Sequence, residues 1–205
     1  MTRRWDMYKR QPGFVLGFHG CDQRVGESVL AGERHLTPST NPYDWLGSGI
    51  YFWESSPARA LQFAEAAAST AKMITKGNIK TPFVLGAIID LGNCFNLIDA
   101  SALKELREAY DFVSSALAAT ELPKNVGGPD KLMRNLDRAV LETMHQLRAG
   151  FHEASRATPP YDTVRSPFGE GGELYPGSGF SSKAHIQIAV RNSDCIRGYF
   201  RPIQR

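Results

Sequence analysis

The apolar positions of the chain fall into short runs bounded by turn-forming residues, which is the pattern of buried β-strands. The first run follows Pro12 and Gly13 and ends at His19 and Gly20. Six such runs predict strands at 14–18, 50–53, 83–91, 161–168, 185–190 and 195–200. Turn formers dominate 37–49, so a long loop is expected between the first two strands.

Helices are indicated by capping residues and by apolar side chains three or four positions apart. Asp22 is a suitable N-cap for a helix at 23–31, which Gly32 would end. Ser56 followed by Pro57 is typical of a helix start, and an alanine-rich helix is predicted from there to about residue 72.

The segment 100–150 predicts a helical hairpin set between strands. Two apolar stripes at helical spacing cover 100–119 and 130–148, and breaker-rich residues separate them. The stripe positions are Leu103, Leu106, Tyr110, Val113 and Leu117, then Leu132, Leu136, Val140, Met144 and Leu147. Together with the strands, this hairpin predicts an α+β fold in a single domain, 1–205.

Composition narrows the class to an ordinary globular protein. Of the 205 residues, 42% are hydrophobic and 22% are charged, close to the averages of folded domains. No apolar stretch approaches the roughly 20 residues of a membrane helix, and the first residues lack the apolar part of a signal peptide. Three scattered cysteines without a CxxC spacing indicate neither a disulfide framework nor a zinc site. A cytoplasmic protein is expected, with no membrane partner and no metal.

Charge is distributed unevenly along the chain. Residues 1–10 hold four basic side chains and one acidic side chain, and residues 183–205 hold five basic side chains and one acidic side chain. The net charge of the whole chain is +3. Basic ends on a mildly acidic middle are suited to contact phosphate, and solvated termini explain them equally well.

Several common catalytic motifs are absent from the sequence. There is no GxxxxGK[ST] phosphate loop, no HExxH and no GxSxG. Gly47 and Gly49 precede a predicted strand rather than a helix, so a dinucleotide-binding Rossmann turn is not indicated.

Three short strings stand out instead. They are GFHGC at 17–21, GSGIYF at 47–52 with PARA at 57–60, and the glycine-rich GEGGELYPGSG at 169–179 leading to HIQIAV at 185–190. In this order they resemble ADP-ribosyltransferases of the poly(ADP-ribose) polymerase and diphtheria-toxin class. The resemblance implies a split antiparallel β-sandwich with flanking helices, in which the hairpin at 100–150 is an insertion.

The resemblance implies that NAD is bound at the first string. His19 would bind the ribose of the nicotinamide half, and Gly20 would offer backbone groups to the carboxamide, with Cys21 beside them. Arg34, or His35 next to it, would lie on the adenosine side. A core histidine at a strand end and a solvated loop are the structural alternatives.

The resemblance also implies two aromatic walls. Tyr51 would lie flat on the nicotinamide ring, where stacking adds roughly 0.5–1.5 kcal/mol beyond area burial. Phe63, on the helix that follows, would form the second wall. The alternatives are a cross-strand core tyrosine and a residue of the helix core.

The third catalytic position holds Gln187 where the family has a glutamate. Cleavage of the nicotinamide–ribose bond builds positive charge on the sugar. A carboxylate at 4 Å would stabilise that charge by about 4 kcal/mol at an effective dielectric of 20, whereas Gln187 offers only a hydrogen bond. Glu170 or Glu173 of the glycine-rich loop could supply the missing carboxylate, as could the acceptor, and solvated loop residues are the alternative.

The resemblance thus predicts an enzyme that transfers ADP-ribose from NAD to RNA, DNA or protein and releases nicotinamide. Small proteins of this class are often toxins of defence or toxin–antitoxin modules, so an antitoxin or inhibitor protein is an expected partner. Arg134 and Arg138 on the hairpin are expected to face the acceptor. A catalytically weak NAD-binding module and an NAD glycohydrolase are the alternatives. Arginine-directed toxin chemistry is disfavoured, because the first strand carries His19 and no Glu follows Gln187 at the second position.

Overall fold

The computed structural model of the chain describes residues 13–69, 79–117, 121–156 and 158–203. The strands are β1 Phe14–Asp22, β2 Ile50–Glu54, β3 Pro82–Asp90, β4 Cys94–Asn96, β5 Asn125–Val126, β6 Met133–Arg134, β7 Thr163–Phe168, β8 His185–Val190 and β9 Ile196–Phe200. The helices are α1 Gln23–Leu30, α2 Pro57–Ser69, α3 Ala100–Ala116 and α4 Asn135–Ser155, with a 3₁₀ turn at Ser193–Cys195.

Seven of the strands form one mixed sheet in the order β4-β7-β8-β2-β1-β3-β9. The predicted α+β class is confirmed. The antiparallel expectation is wrong at one edge, where β4 and β7 run parallel. That pairing was not predicted, because β4 has only three residues and the helical hairpin separates β4 from β7 along the chain.

A seam between β1 and β2 divides this sheet. The register between them covers only Gly17 with Glu54 and Phe18 with Trp53, whereas β1 and β3 are paired over nine positions. Beyond Phe18, β1 continues along β3 and separates from the beginning of β2. The two halves of the sheet therefore meet over a short contact at Gly17 and Phe18.

Helices cover both faces of the sheet. Helix α1 packs against one face, in a cluster built around Phe52, Leu85 and Ile188. The other face carries α2 near Phe18 and Trp53, and α3 and α4 in a separate cluster with Phe95. Successive side chains of a strand point to opposite faces, so neighbouring apolar residues such as Phe52 and Trp53 enter different clusters.

Both capping predictions for the early helices agree with the structure. Asp22 caps α1 by accepting a 3.1 Å hydrogen bond from Arg24 N. The carbonyl of Ser56 accepts the bond from Ala60 N that opens α2. The predicted end of this helix near 72, and the basic cluster at 1–10, lie outside the described residues.

Several predicted boundaries differ from those observed. Strand β1 runs on to Asp22 because its whole length pairs with β3. Helix α4 spans Asn135–Ser155 rather than 130–148, and the linker before it contains the small hairpin of β5 and β6. Cys195 belongs to the 3₁₀ turn rather than to β9.

The helical hairpin is confirmed, but its buried face is only partly the predicted one. Leu103, Leu117 and Leu132 are exposed. The buried positions of the two helices are Ala102, Ala109, Val113, Val140, Leu141, Met144 and His145. The small side chains of Ala102 and Ala109 allow α3 to pack against α4. The predicted stripe did not include them because it was built from large apolar residues.

No described helix combines the length and the apolar character needed to cross a membrane. Within the described ranges, no group of three or more His, Cys, Asp or Glu side chains is arranged to hold a metal ion.

Candidate functional site

His19 lies at the seam, where β1 and β2 separate. Its Nδ1 donates a 2.8 Å hydrogen bond to the main-chain carbonyl of Tyr51, and its ring centroid is 5.8 Å from that of Phe52. Burial lowers the pKa of His19, while the bond to Tyr51 acts in the opposite direction. The imidazole is therefore neutral near pH 7, with its proton on Nδ1 and a lone pair on Nε2.

Gly20 packs directly against helix α2. A Cβ atom at this position would lie 2.2 Å from the carbonyl oxygen of Ala60, so glycine is required here for close packing. Burial raises the pKa of the neighbouring Cys21 thiol to about 11, which keeps it protonated. Arg34 is exposed in the loop after α1, and no contact in the structure links it to His19.

Tyr51 holds the loop that precedes β2. Its hydroxyl donates a 2.8 Å hydrogen bond to the carbonyl of Gly47 and accepts one of 3.0 Å from Leu46 N. Burial raises the pKa of Tyr51 well above its usual value. The ring is half-buried beside the hairpin cluster, and the hydroxyl is committed to the loop.

The same loop is fixed from α4 by a network of charged groups around Glu142. Its carboxylate accepts hydrogen bonds from Ser48 N and from Arg191, the latter at 3.2 Å. Burial alone would raise the pKa of Glu142, but the bonds to Ser48 and Arg191 outweigh it and hold the pKa at about 2. Arg138 lies 3.7 Å from Glu142 and also bonds to Ser48.

The two hairpin arginines therefore face inward. Arg138 is bound to this network, and the guanidinium of Arg134 stacks 4.6 Å from the ring centroid of Phe168. Both side chains are mostly buried: Arg138 is 19% exposed and Arg134 is 25% exposed. The structure thus does not place these two side chains on the outer polar face that the sequence had indicated.

Gln187 lies on β8, opposite Trp53 of β2 and Ser166 of β7. Its Oε1 accepts a 2.6 Å hydrogen bond from the indole Nε1 of Trp45. Residues directly opposite in paired strands share a face, and Tyr51 lies two positions from Trp53 on β2. Tyr51 and Gln187 therefore lie on one face of the sheet. The amide oxygen of Gln187 is already bonded to Trp45 of the loop before β2.

Next to Gln187 lie three buried polar atoms that have no hydrogen-bond partner among the described residues. They are Trp53 Nε1, Arg59 Nε and His185 Nε2. The Trp53 and His185 rings are 6.2 Å apart, and the charge of Arg59 acts on His185. Buried polar groups are nearly always paired in folded proteins, so these three atoms can bond to a polar ligand. We call these three residues the unpaired cluster. Arg134 Nε, His145 Nε2 and His152 Nδ1 on the hairpin side are unpaired among the described residues as well.

Phe63 and the two loop glutamates have separate surroundings. Phe63 lies beside Trp53, with ring centroids 5.0 Å apart. Glu170 forms a 2.7 Å ion pair with Arg59 of the unpaired cluster. Glu173 is exposed and turned into its own loop, where it accepts a 2.8 Å hydrogen bond from Gly177 N.

The structure brings most of the predicted residues to neighbouring strands, but not into one constellation. Strands β8, β2 and β1 are adjacent. His19 is opposite Leu85 of the cluster on the α1 side, so its side chain lies on the other face of the sheet from Tyr51 and Gln187. Only Glu170 of the two loop glutamates reaches this area. Trp45, Trp53, Arg59 and His185 were missed as site residues. Of these, His185 carried a signal, because it opens the third string directly after the glycine-rich loop.

Comparison with known proteins adds no relative to this picture. The chain matches no protein-family model, no curated protein and no solved structure.

Proposed function

We propose that this protein is an NAD-dependent ADP-ribosyltransferase that transfers ADP-ribose to a macromolecular acceptor, RNA, DNA or protein, and releases nicotinamide. The observation that carries the proposal is the adjacency of β1, β2 and β8. It brings the residues on which the family resemblance rests to neighbouring strands, with Tyr51 and Gln187 on one face of the sheet and His19 on the other. In this proposal the seam corresponds to the split of an ADP-ribosyltransferase-like sheet.

The surroundings of the seam support binding of an aromatic, polar co-substrate such as NAD. Trp53 and Phe63 offer stacking surfaces, and Trp53 Nε1 and Arg59 Nε are buried donors that a ligand can satisfy. A neutral His19 at the seam has an Nε2 lone pair for a ribose hydroxyl. We propose a cytoplasmic toxin or defence effector, with an antitoxin or inhibitor as its partner.

One observation favours a second candidate, a catalytically weak NAD-binding module. The Gln187 oxygen is already bound to Trp45, and the nearby carboxylate of Glu170 is paired with Arg59. In that arrangement neither group is positioned to stabilise positive charge on a ribose. Binding of NAD without turnover would favour this candidate.

The proposal is tested by incubating the purified protein with NAD that carries a radioactive phosphate, together with an extract of the expression host. Release of nicotinamide with label in RNA, DNA or protein supports a transferase. Nicotinamide release without labelled acceptor indicates a glycohydrolase. A protein that neither binds NAD nor releases nicotinamide overturns the proposal.

A matched pair of variants relates activity to the seam. His19→Ala removes the imidazole at the seam and is expected to abolish nicotinamide release while the protein stays folded. His152→Ala, in the last turn of α4, is the control. Full activity in His19→Ala would contradict the assignment of the site.

A further inference from the structure

His185 is a buried histidine whose tautomer is fixed by one bond. It is 9% exposed, and its Nδ1 lies 2.7 Å from the carbonyl oxygen of Lys183. A carbonyl can only accept a hydrogen bond, so Nδ1 carries the proton and Nε2 holds the lone pair. That Nε2 is buried and has no partner among the described residues.

The lone pair of His185 lies close to Gln187. The two residues are two positions apart on β8, so their side chains share one face of the sheet. The aromatic rings of Trp53 and Phe168 lie 6.2 Å and 5.5 Å from His185. Proton transfer to Nε2 would therefore take place in an apolar surrounding, beside the residue at the third catalytic position.

The proposed reaction lacks a base at that third position. The amide of Gln187 does not take up a proton at neutral pH, and its oxygen is bound to Trp45. The carboxylate of Glu170 is held by Arg59 at 2.7 Å, and Glu173 is turned into its own loop. Within the described part of the chain, the imidazole of His185 can take up a proton near neutral pH and has a lone pair without a partner.

We propose that His185 is the general base of ADP-ribosyl transfer, a role that rests on the proposed function. The acceptor O–H or N–H attacks the ribose carbon that bears nicotinamide, and a new bond forms there. The bond from that carbon to nicotinamide breaks, and its electron pair neutralises the pyridinium nitrogen. The acceptor proton passes to His185 Nε2, and the resulting imidazolium later returns it to water.

The loop that joins β7 to β8 gives the acceptor its route to Nε2. It runs from Gly169 to Ala184 and contains glycines with positive φ at 171 and 177. Glu170 attaches this loop to α2 through Arg59, and Gly171 N donates a 3.0 Å hydrogen bond to Asp130 in the hairpin linker. In this proposal, displacement of the segment opens the path of the acceptor to Nε2.

The charged groups around His185 define its titration. Burial lowers the pKa of His185 most, the bond to Lys183 raises it, Arg59 lowers it and Glu170 raises it. Strands β2 and β7 contribute the uncharged rings of Trp53 and Phe168. The base is therefore already deprotonated below pH 6.5, and the transfer rate should be constant above its pKa and fall in acid.

The first test compares His185→Asn with His145→Asn. Asparagine keeps a donor for the Lys183 carbonyl but removes the base, so nicotinamide release should fall about 100- to 10,000-fold while NAD binding is retained. His145, equally buried at 9% and also with an unpaired Nε2, lies on α4 away from β8 and controls for the loss of a buried imidazole. A His185→Asn variant that binds NAD and keeps the wild-type rate would overturn the proposal.

The second test links the rate to the imidazole itself. The pH at half-maximal rate should equal the pKa of His185 measured by NMR. In Glu170→Gln both values should move down together, because the negative charge that raises this pKa is gone. If Glu170 were the base, the same variant would lose activity at every pH although the pKa of His185 still moved, and the role of His185 would be refuted.

Failure of the two proposals can be told apart. Wild-type protein that releases no nicotinamide with the extract refutes the transferase and the base together. Wild-type turnover with an unaffected His185→Asn refutes the base alone. The NMR titration reports the tautomer and the pKa of His185 independently of activity.

Discussion

Two acidic residues, Glu142 and Glu170, each pair with arginine beside the same sheet, yet their surroundings differ. Glu142 accepts bonds from Ser48 N and from Arg191, and its carboxylate joins α4 to the loop before β2. Glu170 pairs with Arg59, whose Nε is buried without a partner. The first network is closed, and the second leaves polar atoms unpaired.

This contrast separates structural groups from candidate functional groups. A completed network of buried charges rigidifies the parts that it joins. Unpaired buried groups are costly, and they persist where a ligand completes them. We therefore expect changes around Glu142 to affect stability, and changes around Glu170 and the unpaired cluster to affect NAD chemistry.

The largest expected difference in stability is between Glu142→Ala and Glu170→Ala. Loss of Glu142 leaves Arg191 and Ser48 N without their partner and should lower the free energy of unfolding by about 2–4 kcal/mol. Loss of Glu170 leaves Arg59, which is 12% exposed, with Gln62 as its remaining side-chain partner, and should cost less, about 1–2 kcal/mol, because fewer buried groups lose a bond. Urea unfolding of both variants measures the difference, and equal losses would remove the distinction between the two networks.

Acid should weaken the hairpin side through His145 and Glu142. Burial, with a contribution from Arg191, lowers the pKa of His145 from 6.5 to about 3, so the unfolded chain takes up the proton first. Stability is therefore lost as pH falls from 6.5 towards 3, by about 2 kcal/mol at pH 5. Glu142, with its pKa lowered from 4.5 to about 2, adds a second loss between those values.

Unfolding measured from pH 7 to pH 4 tests this expectation. His145→Leu should flatten the part of the curve between pH 6.5 and 4.5, since it removes the group that titrates there. The buried His19 and His185, whose pKa values are also lowered, act in the same direction and keep some slope. An unchanged curve in His145→Leu would show that His145 does not titrate as the geometry requires.

Tyr51→Phe tests which network the tyrosine hydroxyl serves. The change removes the bonds to Leu46 N and Gly47 O and should cost about 1–2 kcal/mol. Hydrogen exchange at the Leu46 amide should accelerate. Because the ring is kept, NAD binding should be retained, and a selective loss of NAD binding without a change in exchange would assign the hydroxyl to the ligand instead.

The smallest expected effect is that of Arg59→Met. Methionine fills a similar volume and removes a buried unpaired donor, but Glu170 loses its ion pair, so the free energy of unfolding should fall by about 1 kcal/mol. Arg191→Met, the control in the closed network, should cost more than Arg59→Met because Glu142 and the Ser48 carbonyl lose a donor. A larger loss in Arg59→Met would make Arg59 a structural residue.

Local signals predicted much of the fold and part of the site. The end of α1 at Gly32, the start of α2 after Ser56 and the strand β8 follow from caps and apolar runs that act over a few residues. His19, Tyr51 and Gln187 were chosen from short strings, and the structure places them on neighbouring strands. Strand β4 was not predicted, because three residues are too few to show an alternating apolar pattern and because its partner β7 is distant in the sequence.

The amino-acid sequence by itself determined the α+β class, most strands and helices, and the identity of the residues at the three resembling strings. Only the tertiary structure decided that Gln187 bonds to Trp45, that Arg138 turns inward to Glu142, and that Trp53, Arg59 and His185 meet with unpaired atoms. The physical reason is distance along the chain. Caps and periodic patterns act between near neighbours, whereas the bond between Trp45 and Gln187 joins residues 142 positions apart and exists only once the sheet has brought their strands together.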